Sequence, residues 1–288
     1  MRFPRDNPPS NLHALQSWIS TWATQQGVAQ DRVQRWIAFE LIAAAFEAAR
    51  LDTGRPLFLL KGGFAMEVRL GLEARATRDI DAVMRADANA EQITDAVRAA
   101  LSEPRCDGAA TFEVLSARPI GTLASVKFDV RVQWHGQALA RVRLEVSPDE
   151  ADAARDWDSL ALPGRAAEFG ITDVPADIQC LQLRFQMAQK LHAVSNPREP
   201  NDRFRDLIDL QLLDALHDRA RDPELRDACE KVFTARAQHP WPPAITVRDG
   251  WEAGYRMLAA DIDLPQDDVH VALTAVQAIV DRLVALSE

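Results

Sequence analysis

Two aspartates separated by one residue, Asp79 and Asp81, stand in the run Thr77-Arg78-Asp79-Ile80-Asp81-Ala82-Val83-Met84. On a strand both carboxylates point to one face, because side chains alternate with a period of two. Carboxylates side by side repel unless a cation lies between them. A hard divalent ion such as Mg²⁺ or Mn²⁺ suits oxygen donors, and phosphates can complete its shell. Upstream, the apolar run Leu57 to Leu60 leads into Lys61-Gly62-Gly63. Glycine lets the backbone approach a ligand with no Cβ in the way. Amide groups near a helix start cradle phosphate. Together these residues predict a site for a metal–nucleotide complex. An Asp-x-Asp alone also describes an ordinary acid-capped strand end; the Gly-Gly turn and the intervening helix give it weight.

Two-metal phosphoryl transfer uses a third carboxylate. Asp129, in Lys127-Phe128-Asp129-Val130, and Glu145, in Arg143-Leu144-Glu145-Val146, are the two candidates. Each also reads as an exposed strand position paired with Arg131, Arg141 or Arg143. Arg75 and Arg78 crowd the loop before the acids and suit a triphosphate or an RNA backbone. Thr77 caps or orients that loop. A second constellation lies downstream: Lys190 near the end of one predicted helix, and Asp206 and Asp209 near the start of the next. The two acids are spaced i,i+3 and so share a helix face. A lysine is a compact charge for a β- or γ-phosphate, and Asp209 can hold it or position a base or ribose hydroxyl. Alone, Lys190 reads as a surface lysine and Asp206 as a first-turn acid favoured by the helix dipole.

Gly62-Gly63, a short helix, then Arg75-Ala76-Thr77-Arg78-Asp79-Ile80-Asp81 resembles the first motif of the AbiEii/AbiGii-type nucleotidyltransferases. That family belongs to the DNA polymerase β-like nucleotidyltransferase superfamily and includes toxins of toxin–antitoxin and phage-defence systems. In it a Ser or Thr stands two before the first metal aspartate, the place Thr77 fills. The helix carrying Ala188-Gln189-Lys190-Leu191, followed by Arg205-Asp206-Leu207-Ile208-Asp209-Leu210, resembles the family's second signature. Lys190, Asp206 and Asp209 take its lysine and two aspartates. The family's third acid is an aspartate on an apolar–Asp–apolar strand after a hairpin; Glu145 matches that position best and departs in type. Gln186 and Gln189 stand where the family often has glutamates, which loosens the case for a salt-bridged Lys190. The resemblance covers roughly residues 57 to 215 and implies a nucleoside triphosphate substrate, Mg²⁺ or Mn²⁺, an acceptor that can be a tRNA 3′ end, and a cognate antitoxin.

The elements that must carry these residues follow from periodicity. Leu12, Leu15, Trp18, Ile19 and Trp22 recur at helical spacing, with Ser10 or Asn11 as cap and Gly27 as stop. A second helix carries Val33, Trp36, Ile37, Leu41, Ile42 and Phe46, and the tryptophans of both read as core. Residues 124–134 and 138–146 alternate apolar and polar around His135-Gly136-Gln137, the clearest hairpin. After residue 150 the pattern turns helical: 177–194, 204–216, 222–236, 249–261 and 265–287. The expected fold is α+β, a small mixed sheet of nucleotidyltransferase type with N-terminal helices and a helical C-terminal half. The expected division is 1–150, catalytic, and 151–288, helical, with a ligand cleft between them.

The 288 residues are 47% hydrophobic and carry a net charge of −10, from 43 acidic and 33 basic residues. Non-specific coating of nucleic acid is disfavoured, although a local basic patch can still take RNA. Cys106, Cys180 and Cys229 form no zinc spacing or disulfide framework. With no apolar span and no signal core, a cytoplasmic protein with no membrane partner is expected. There is no Walker A run, no Ser-His-Asp arrangement and no HExxH. Two other readings fit the same residues: nucleotidylation of a protein or cationic small molecule, and a catalytically degenerate binding module, which the glutamate at 145 allows.

Overall fold

The computed structural model describes residues 2–71, 77–121, 124–261, 264 and 266–286. It divides into two compact units, one of Met1–Asp149 with Trp157–Cys180, the other of Glu150–Asp156 with Leu181–Glu288.

The first unit opens with α1 (Leu12–Gln26) and α2 (Gln30–Ala48). The Asn11 side chain caps α1 by accepting the Ala14 N–H, and Gly27 ends it in the left-handed conformation. Then come β1 (Phe58–Lys61), α3 (Gly62–Leu70), β2 (Asp79–Met84), α4 (Ala90–Ser102), β3 (Ala110–Ile120), β4 (Ser125–Trp134), β5 (Gln137–Pro148), β6 (Asp158–Ala161) and β7 (Asp177–Cys180). The strands make one mixed sheet in the order β3-β4-β5-β2-β1-β7-β6. Pairings β3–β4, β4–β5, β1–β2 and β6–β7 are antiparallel; β2–β5 and β1–β7 are parallel.

One sheet face is apolar. Ile80, Ala82, Phe128, Val130, Val142, Leu144 and Val146 are buried in a core shared with α1, α2 and α4. Helix α2 is buried almost all round from Trp36 to Phe46, as an inner helix must be. Strand alternation then sends Asp79, Asp81, Lys127, Asp129, Arg143 and Glu145 to the opposite face.

The second unit holds α5 (Leu183–Ser195), α6 (Phe204–Leu216), α7 (Asp222–Arg236), α8 (Trp251–Asp261) and α9 (Val269–Ala285). Glu150 belongs to it: its carboxylate accepts from Arg236 Nε at 3.0 Å and from Gln189 Nε2 at 2.9 Å. The expected helix over 177–194 is in fact β7 followed by α5. The expected loop at 161–164 begins on β6. Both strands are short and sit at the sheet's far side, so the α+β architecture stands, with the sheet reaching beyond residue 150. Among the described residues no helix is long and apolar enough to cross a membrane.

Candidate active site

The Gly-Gly step ends β1 and begins α3. Gly62 has φ +64°, and a Cβ there would lie 1.9 Å from Asp81 Oδ2. A Cβ on Gly63 would lie 2.4 Å from Thr77 Oγ1. Both glycines are therefore required by contact, since side chains there would push Asp81 and Thr77 away from the start of α3. Thr77 is buried, its hydroxyl donating to the Asp79 carbonyl at 3.2 Å, whereas Arg78 is exposed at the entry to β2. Arg75 lies outside the described residues.

Register arranges the acids. Asp81 pairs across β1–β2 with Lys61 and across β2–β5 with Glu145, and Glu145 pairs in turn with Lys127 on β4. One step along, Asp79 pairs with Arg143, and Arg143 with Asp129. All lie on one face. Glu145 is thus the immediate cross-strand neighbour of Asp81. Asp129 stands two strands from Asp79, about 9–10 Å at ordinary strand spacing.

The surrounding cations differ between the two acids. Arg141 lies 3.0 Å from Asp129 Oδ2, and the Ser116 hydroxyl donates to the same oxygen at 3.1 Å. The Arg141 hydrogen bond holds the Asp129 carboxyl below the usual carboxylate range. Among the described residues Glu145 forms an ion pair with Lys127, at 3.6 Å. Arg143 Nε lies 2.7 Å from Asp79 Oδ1, yet off the hydrogen-bonding direction, and that buried oxygen has no hydrogen-bond donor among the described residues. Lys61 Nζ donates to Ser147 Oγ at 2.7 Å.

Among the described residues no three His, Cys, Asp or Glu side chains are gathered closely enough, as placed, to hold a metal ion. The donor chemistry nevertheless fits a hard cation. Two carboxylates on β2 and a third in register on β5 form an oxygen-only set on an open face, with Arg143 paired to Asp79.

In the second unit three predicted residues meet. Lys190 Nζ donates to Asp206 Oδ1 at 2.7 Å and to Asp209 Oδ2 at 2.6 Å. The side chains are 12%, 7% and 1% exposed, so the ammonium is held between two nearly buried carboxylates. The glutamines on α5 were expected to loosen this lysine. Instead its counter-charge comes from α6, while Gln189 turns to Glu150.

Sequence reasoning passed over Glu67 on α3. It is buried and accepts the Thr77 N–H and the Trp36 indole N–H. Its one readable signal was a carboxylate four residues after Gly63, on the same face of a largely apolar helix.

No protein of curated function matches this sequence. Among solved structures, MenT4, a nucleotidyltransferase toxin from Mycobacterium tuberculosis H37Rv, aligns with a TM-score of 0.56 at 17% identity, covering 94% of this chain and 98% of that one. An antigenic nucleotidyltransferase-like protein from Paracoccidioides brasiliensis aligns with a TM-score of 0.41 at 14% identity, covering 72% and 89%. The first likeness is one of fold. The profile of the family described as "Nucleotidyl transferase AbiEii toxin, Type IV TA system" matches residues 45–282, most of the chain and every acid discussed above. The chain therefore belongs to the AbiEii nucleotidyltransferase toxin family.

Proposed function

We propose that this nucleotidyltransferase is metal-dependent and transfers a nucleoside monophosphate from a triphosphate to a hydroxyl at a tRNA 3′ end. The observation that carries the metal assignment is the register that sets Asp79, Asp81 and Glu145 on one open face beside the glycine start of α3. Asp79, Asp81 and Glu145 are the residues that hold the cation. When bound, Mg²⁺ or Mn²⁺ supplies positive charge to the reacting phosphates and lowers the pKa of the attacking hydroxyl. The amides of Gly62 and Gly63, with Thr77 and Arg78, orient the phosphate chain. The acceptor oxygen bonds to the α-phosphorus as the bond to the bridging oxygen breaks. Pyrophosphate leaves, and the hydroxyl proton passes to solvent or a carboxylate. In the second unit Lys190 is held between Asp206 and Asp209, the three residues that match the family's second signature. The toxin family supports a cognate antitoxin; the tRNA acceptor is our reading from the family resemblance, and the test below addresses it.

The test uses the four α-³²P-labelled nucleoside triphosphates with Mg²⁺ or Mn²⁺, offered to total tRNA, total protein and a small-molecule pool. Label entering tRNA with the intact protein, and at least about 100-fold less with the D79A/D81A variant, is the expected result. Label in protein or small molecules instead would replace the acceptor. Label unchanged in D79A/D81A would remove the metal assignment.

A further inference from the structure

Helix α3 holds the entry to β2 at three points. Gly62 lies against the Asp81 carboxylate and Gly63 against the Thr77 side chain. One turn further, Glu67 Oε1 accepts the Thr77 backbone N–H at 2.5 Å. Its other oxygen, Oε2, accepts the Trp36 indole N–H from α2, also at 2.5 Å. Glu67 is 5% exposed and Thr77 8%. A carboxylate is the one side chain of this length that accepts at both ends; a glutamine presents one acceptor and one donor. Burial raises the pKa of the Glu67 carboxyl while both N–H donors and, at longer range, Arg32 and Arg35 lower it.

Both oxygens of this buried acid are taken by the Trp36 and Thr77 N–H groups. The second bond fixes the backbone of Thr77, whose hydroxyl binds the Asp79 carbonyl two residues on. We propose that Glu67 is a positioning residue of the nucleotidyl-transfer site: with Trp36 as its second anchor, it sets the backbone from which Asp79 and Asp81 project. This rests on the assignment of those two aspartates to the cation.

The chemistry gives a test that mere packing would not pass. In E67Q the new amide must turn its nitrogen toward either the Thr77 N–H or the Trp36 N–H, so one donor loses its acceptor. Adding W36F removes the competing indole donor, and the amide oxygen is then free to face Thr77. The readouts are Mn²⁺ affinity of the full-length protein, measured by electron paramagnetic resonance with Mn²⁺ alone, and hydrogen exchange of the Thr77 amide by NMR. Expected are loss of Mn²⁺ binding in D81A and about tenfold weaker binding in E67Q. The W36F/E67Q double variant should recover to within about threefold of W36F, with Thr77 exchange slowed in parallel. D81A weakened while E67Q binds as the wild type would overturn the role of Glu67 alone, as would a double variant no better than E67Q. D81A binding as tightly as the wild type would overturn the acid assignment itself, and this proposal with it.

Discussion

At the residue scale, neighbours rather than side-chain type distinguish the two candidates for a third carboxylate. Asp129 has the shorter side chain that the family favours, but it is engaged by Arg141 and Ser116 and lies two strands from Asp79. Glu145 is one strand from Asp81, and its extra methylene spans an ordinary cross-strand gap. The expected outcome is that E145Q lowers transfer activity at least about 100-fold, the scale of losing a group that stabilises transition-state charge. D129N should stay within about threefold of the wild type, since Asp129 is a surface partner of arginines. Steady-state rates with saturating Mg²⁺ separate the two; equal losses would return Asp129 to the site. Both acids were visible in the alternating hairpin and the family resemblance favoured Glu145; its place directly beside Asp81 was not legible, because register is set by pairing between distant segments.

At the element scale, α5 and α6 are stapled by a single lysine between two acids. Removing one partner of a buried ion cluster leaves uncompensated charge, which costs about 3–5 kcal/mol. K190M should therefore lower the urea stability by that order, and D206N/D209N in the K190M background should regain much of it. A loss under 1 kcal/mol would mean that solvent screens the cluster. Any activity measured on K190M must be read at a concentration and temperature where the variant is folded. The ends of α1 were legible, with Asn11 as its cap and Gly27 as its stop. Strand β7 was not, because Ile178 and Cys180 run straight into the apolar positions of α5. A short buried strand and a helix start look alike by periodicity.

At the scale of the whole chain, two compact units share one family profile, and each keeps its own polar cluster inside an apolar frame. In the first unit Glu40, on the innermost helix α2, is 1% exposed and accepts the backbone N–H groups of Arg165 and Ala166 at 2.9 and 2.7 Å. It thereby fastens to the core the segment that leads from β6 toward β7. Burial pushes its carboxyl up to about 7, against the two amides and Arg165, from an ordinary 4.5. The folded chain then holds this proton between pH 4.5 and 7 while the unfolded chain releases it. Stability contributed by Glu40 is full below 4.5, falls as pH rises to 7, and is flat above. Between pH 5 and 8 wild-type stability should drop by roughly 2–3 kcal/mol more than that of E40Q, by urea unfolding at each pH. Parallel pH profiles would show Glu40 to be ionised throughout.

The sequence by itself brought the candidate site residues together. Gly62, Gly63, Thr77, Asp79 and Asp81 fall within twenty residues, and strand and turn geometry over such a span follows from local sterics and a period of two. Its two motifs also pointed to the family, and alternation in the first half with helical periodicity in the second pointed to the α+β class. Only the tertiary structure decided which acid stands beside Asp81, where the counter-charge of Lys190 comes from, and that Glu67 grips Thr77 and Trp36. Each of these joins residues from different elements. Pairing register and the packing of buried polar groups are settled when distant segments meet, because a buried charge takes whatever partner the assembled core brings within reach.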